Sequence, residues 1–119
     1  MRTILSDQEF EKLVKQGIDL IPENILKKLE NIEICIEDKY LFNKSGSLVL
    51  GLYQGIPKIK RWGYGQVLPD KITIFKKSIE KIAKDQKDIK KIIAKTVYHE
   101  IAHHFGYSEK EVRKLEKKR

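Results

Sequence analysis

The spacing of apolar positions along this chain shifts from a helical period to a strict alternation and back, and each shift marks an element. Ser6-x-x-Glu9 has the form of a capping box, and behind it Phe10, Leu13, Val14 and Ile18 recur at three- and four-residue intervals. This predicts a first helix reaching about residues 17–20. Pro22 suits the first turn of a second, short helix carrying Ile25, Leu26 and Leu29. The period then becomes two. Ile32, Ile34 and Ile36 alternate with Glu33, Cys35 and Glu37, as in a half-buried strand. The turn-forming run Asn43-Lys44-Ser45-Gly46-Ser47 separates it from a second alternation, Leu48, Leu50 and Leu52 against Val49, Gly51 and Tyr53. Gly51 inside that strand signals a bulge or the close approach of another backbone.

Residues 54–70 contain Gly55, Pro57, Gly63, Gly65 and Pro69 and have no period, so they form the longest irregular segment, a common seat of function. Ile72-Thr73-Ile74-Phe75 is a third strand entered through Pro69-Asp70. From Ser78 the spacing is helical again. Ile79, Ile82 and Ala83 make one short face, and Asp85 is placed to cap a restart that carries Ile89, Ile92, Ile93, Thr96 and Val97. Past Val97 the helix is apolar on most sides through Tyr98, Ile101, Ala102 and Phe105, which predicts burial. Gly106 suits the left-handed residue that ends it, and Ser108-x-x-Glu111 is a second capping box opening a terminal helix with Val112 and Leu115.

Composition narrows this picture. At 119 residues with 40% apolar residues, the chain is expected to fold as one domain spanning 1–119. No run approaches the roughly 18 apolar residues of a membrane span, and residues 1–7 lack an apolar signal core. A single cysteine, Cys35, excludes an internal disulfide and fits a reducing compartment, so a cytoplasmic location is expected. Little basic charge surrounds Cys35, which suits a quiet structural thiol. The net charge of +8 is lopsided, since residues 1–56 hold seven basic and nine acidic side chains and residues 57–119 hold eighteen and eight. A basic half can attract nucleic acid. Here, however, Lys alternates with Ile at helical spacing as a solvated face does, and the aromatics are not interleaved with it as stacking platforms.

The chemistry concentrates in Tyr98-His99-Glu100-Ile101-Ala102-His103-His104-Phe105-Gly106-Tyr107-Ser108-Glu109. His-Glu-x-x-His on a helix places His99 and His103 one above the other, where two imidazoles close on one zinc ion. Glu100, rotated by about 100°, flanks the metal as a base for a water molecule. A third ligand is required, and the turn at Gly106 brings Ser108, Glu109 and Glu111 back towards the pair. Glu111 partners the Ser108 cap, so Glu109 is the freer carboxylate. Tyr53, Arg61, Tyr64 and Tyr107 are candidate oxyanion or substrate contacts. His104, about 100° from His103, is a poor third ligand and suits a supporting or packing role, with Glu100 one turn earlier as a candidate neighbour.

The chain resembles the short, zincin-like metallopeptidases of bacteria. The resemblance is carried by Gly51-Leu52-Tyr53-Gln54-Gly55-Ile56-Pro57, by Leu68-Pro69-Asp70-Lys71-Ile72-Thr73-Ile74-Phe75 and by residues 96–106 around His99 and His103. It implies a compact α+β zincin-like fold with a small mixed β-sheet packed against the metal-binding helix and flanking helices, zinc ligands at His99 and His103, and a catalytic Glu100. The family pattern ends in Asp where this chain has Glu109, a side chain one methylene longer whose carboxylate must approach from a shifted backbone or bind a neighbouring water. The long-motif zincins carry a methionine turn, and the only methionine here is Met1.

The resulting expectation is a zinc-dependent hydrolase of peptide bonds acting on a peptide or protein substrate. Its expected site is a shallow groove bounded by strand 48–53 and loop 54–66, accepting extended peptide along the sheet edge. The alternatives are a zinc- or peptide-binding module without turnover, and a basic nucleic-acid-binding protein.

Overall fold

The computed structural model describes residues 5–27, 32–55 and 70–104. In chain order the elements are α1 (Asp7–Ile18), α2 (Glu23–Leu26), β1 (Ile32–Glu37), β2 (Gly51–Gln54), β3 (Asp70–Phe75), α3 (Lys76–Ile82) and α4 (Gln86–His104). The strands form one sheet in the order β1-β3-β2. β1 runs parallel to β3 with Ile34 opposite Ile72, and β2 runs antiparallel with Tyr53 opposite Ile72. Helices gathered against a small mixed sheet make this an α+β fold, as the family resemblance implies.

α1 opens on the expected capping box. Ser6 Oγ accepts from the Glu9 N–H and a Glu9 carboxylate oxygen accepts from the Ser6 N–H, both at 3.1 Å. Such a cap contributes on the order of 1 kcal/mol. Burying Phe10, Leu13 and Val14 contributes roughly 1.5–3 kcal/mol each. Packing against α4 therefore holds this helix more than its cap does. That packing is tight: a Cβ on Gly17 would lie 2.8 Å from the Lys90 carbonyl oxygen. The core of Ile72 and Ile74 from β3, Ile79 from α3 and Ile89, Ile93, Val97 and Ile101 from α4 is closed to solvent.

Two boundaries differ from the sequence expectation. The alternation over 48–53 serves two partners. Leu48 bridges Phe42, and the Val49 N–H donates to the Leu41 carbonyl at 2.8 Å, closing a local hairpin whose turn places Gly46 at φ 84°. Pairing with β3 proper begins only at Gly51. α3 begins at Lys76, directly after β3, and Lys76 is only 4% exposed and lies among three acids. Its Nζ lies 3.6 Å from Asp7, 3.9 Å from Asp38 and 3.9 Å from Glu80. Glu80 also accepts the buried Leu5 N–H at 2.8 Å. The restart at Asp85 is as expected, its Oδ1 accepting the Asp88 N–H at 2.8 Å. The expected terminal helix after Gly106 lies outside the described residues. No helix among the described residues is long and apolar enough to cross a membrane.

Candidate metal centre

α4 sorts its residues by column. Ile89, Ile93, Val97 and Ile101 recur at four-residue spacing and are fully buried, which fixes the helix's rotation against the core. With that stripe inward, Lys95, His99 and His103 form a column turned outward, and Ile92, Thr96 and Glu100 form the column between. The rotation that buries the isoleucines is therefore what presents the two histidines.

The His99 and His103 Nε2 atoms lie 3.0 Å apart, with ring centroids 4.5 Å apart and the rings inclined at 66°. Two imidazoles bonded to one tetrahedral zinc at about 2.0–2.1 Å would hold their nitrogens ~3.3 Å apart. The pair thus needs to open by only a few tenths of an ångström, so the donor set fits the metal in position and in chemistry. Among the described residues no third His, Cys, Asp or Glu completes a metal-binding group. Glu109, the expected third ligand, lies outside them, as do Arg61, Tyr64 and Tyr107.

Glu100 is half-buried beside the pair. Burial pushes its carboxyl above the usual glutamate range, while a hydrogen bond from the Tyr53 main-chain N–H and the nearby His99 and His103 pull it down. β2 thus reaches across to hold the carboxylate through its backbone. The close approach that Gly51 signals is real, since a Cβ there would stand 2.6 Å from Thr96 Cγ2 on α4. Glycine is what lets β2 lie this near the helix.

Tyr53 and Asp70 are diagonal neighbours on one face of the β2–β3 pair, close enough for an aromatic side chain to bridge. The Tyr53 hydroxyl donates to Asp70 Oδ2 at 2.6 Å. Burial, and then this bond and the carboxylate's charge, hold the phenol well above the ordinary tyrosine range. His104 stacks on the Tyr53 ring with centroids 3.8 Å apart and an inclination of 18°. Its Nε2 lies 3.7 Å from Asp70 Oδ2. Asp70 was not among the residues singled out by the motif. His104 is exposed, stacking on Tyr53 from the solvent side of the helix end.

A groove of about 490 Å³ opens from His99 and Glu100. One wall is the Ile92, Lys95 and Thr96 arc of α4, the other is residues 48–51, and Ile82 also lines it. The expected boundary at 48–53 is met in its first half, and most of loop 54–66 lies outside the described residues.

Comparison with known proteins agrees with this geometry. Residues 29–119 match the model of the zincin-like metallopeptidase family, and the chain belongs to that family. It is similar in fold to a conserved hypothetical protein from Thermo thermophilus, with a TM-score of 0.60 and 22% identity over 84% of this chain and 94% of that one. No curated protein matches the chain.

Proposed function

We propose that this zincin-like chain is a zinc-dependent metallopeptidase, folded as one domain over 1–119, that hydrolyses peptide bonds in a peptide or protein substrate in the cytoplasm. The observation that carries this reading is the convergence of His99 and His103 Nε2 at 3.0 Å with the Glu100 carboxylate fixed beside them. His99 and His103, with Glu109 as third ligand, would hold a zinc ion, and such an ion would supply the Lewis acidity to polarise a carbonyl and to lower the pKa of a water towards 7. Glu100 takes the proton from the attacking water and returns it to the leaving amine. The Tyr53 N–H orients the carboxylate, and the Tyr53 hydroxyl, engaged by Asp70, steadies the strand that carries this N–H. Of the expected oxyanion contacts Tyr53, Arg61, Tyr64 and Tyr107, Tyr53 has its hydroxyl proton committed to Asp70, which leaves Arg61, Tyr64 and Tyr107 as the candidates. His104 supports the site by packing on Tyr53.

The test is metal stoichiometry and peptide cleavage measured on one set of variants. His99→Ala, His103→Ala and Glu109→Ala are expected to lose zinc. Glu100→Gln is expected to keep zinc and lose about 10²–10⁴-fold in hydrolysis. Full activity in Glu100→Gln would exclude it as base, and unchanged zinc content in Glu109→Ala would move the third ligand elsewhere. Zinc binding by the wild type with no turnover of any peptide would leave the binding-module reading.

A further inference from the structure

The groove beside the metal centre has a length and a chemistry of its own. Its α4 wall runs from His99 back to Ile92, seven residues and so about 10 Å along the helix axis. Same-facing side chains of an extended peptide, residues i and i+2, are roughly 6.5–7 Å apart. The span therefore accommodates two such side chains and not three. The walls are apolar, with Leu48 and Leu50 on one side, Ile92 on the other, and Ile82 among the lining residues. Ile82 is 47% exposed, an apolar surface held open to solvent. The cation on this wall is Lys95, one helical turn from His99.

Resting on the peptidase reading above, we infer that this groove is a subsite for two alternating bulky apolar side chains of an extended substrate, on one side of the bond cleaved. The occupant is identified by continuity. His99 and Glu100 line the same groove, so whatever fills it is joined to the group presented to them. Lys95 excludes Lys and Arg from these positions by like-charge repulsion. An apolar-x-apolar segment is the pattern of a half-buried strand, which a folded protein keeps covered. The substrate class is therefore an unfolded or extended chain displaying strand-forming sequence.

The test uses the full-length, zinc-loaded chain and a set of octapeptides identical except for Leu-x-Leu, Ser-x-Ser or Lys-x-Lys on one side of a central bond, presented on either side. Cleavage is read by mass spectrometry. Binding of the same peptides at low temperature is read from the amide signals of Ile82, Ile92 and Thr96. Burial of a leucine side chain is worth about tenfold or more per position. Leu-x-Leu is thus expected to be cleaved and bound at least tenfold better than Ser-x-Ser, with Lys-x-Lys the poorest. Ile82→Lys, at an exposed position of the groove wall, is expected to reduce the preference for Leu-x-Leu over Ser-x-Ser. Lys95→Glu is expected to relieve the discrimination against Lys-x-Lys. If nothing is cleaved but Leu-x-Leu still binds selectively and Ile82→Lys removes that binding, the subsite stands and the peptidase reading fails. Cleavage without apolar preference, or equal binding of all three peptides as expected if the groove is filled by the chain itself or a second copy, overturns the subsite.

Discussion

Gly51→Ala isolates the contact on which the site's second wall depends. The new Cβ would sit 2.6 Å from Thr96 Cγ2, whereas carbon atoms rest at about 3.5–4.0 Å, so β2 and α4 must part by roughly 1 Å. The Thr73 carbonyl oxygen, at 3.3 Å, demands only a small further adjustment. Overpacking of this kind costs about 1–3 kcal/mol. Stiffening the unfolded chain returns ~0.4–1 kcal/mol, leaving a net loss of about 1–2 kcal/mol. Thr96→Ser deletes Cγ2 and with it the obstruction, so in that background Gly51→Ala should be neutral or slightly stabilising. Urea unfolding of wild type, both single variants and the double variant, followed by far-UV circular dichroism, gives the coupling directly. We expect a coupling of about 1.5 kcal/mol, well beyond the ~0.3–0.5 kcal/mol scatter of independent sites. The Tyr53 amide signal should shift in Gly51→Ala and recover in the double variant, because that N–H bonds Glu100 across the same gap. A Gly51→Ala protein within about 0.5 kcal/mol of wild type would refute the close-approach reasoning, as would an equal penalty in the Thr96→Ser background.

Three further outcomes are expected. The Tyr53 phenol, raised by burial and by Asp70, stays protonated while ordinary tyrosines ionise near pH ~10. Its contribution to stability is therefore complete below that pH and lost as pH climbs beyond it. Phenolate absorbance, with Tyr53→Phe as subtraction, should show Asp70→Asn moving the ionisation back down, and an unmoved titration would sink the assignment. Glu80→Ala removes one of three acids around buried Lys76 and the acceptor of the Leu5 N–H, for an expected loss of about 2–4 kcal/mol in urea unfolding. Glu80→Gln, which keeps the Leu5 acceptor, should fall between, and a loss below ~1 kcal/mol for the alanine would show the cluster to be incidental. Burial, followed by Glu33, pushes the Cys35 thiol up, so it should be alkylated more slowly at neutral pH than a free thiol such as glutathione.

Periodicity alone determined the parts of this protein that depend on neighbours within one element. The capping box at Ser6, the restart at Asp85, the alternation of β1 and the stacking of His99 above His103 follow from repeats of 3.6 and 2 residues, which the chain carries in its own order. The buried isoleucine stripe of α4 even sets which way the histidines face. What lies between elements was decided only by the tertiary structure, because the register of one element on another comes from packing and not from spacing. Tyr53 meets Asp70 across 17 residues through the antiparallel register of β2 on β3. Leu5 meets Glu80 across 75 residues because α1 lies on α4 and brings the N-terminal segment to α3. The hold on Glu100 by the Tyr53 main chain, and the opposite wall of the groove at 48–51, belong to the same class. The histidine pair is a property of one helix, whereas the position of its base and the space for its substrate are properties of the way a glycine lets a strand settle on that helix.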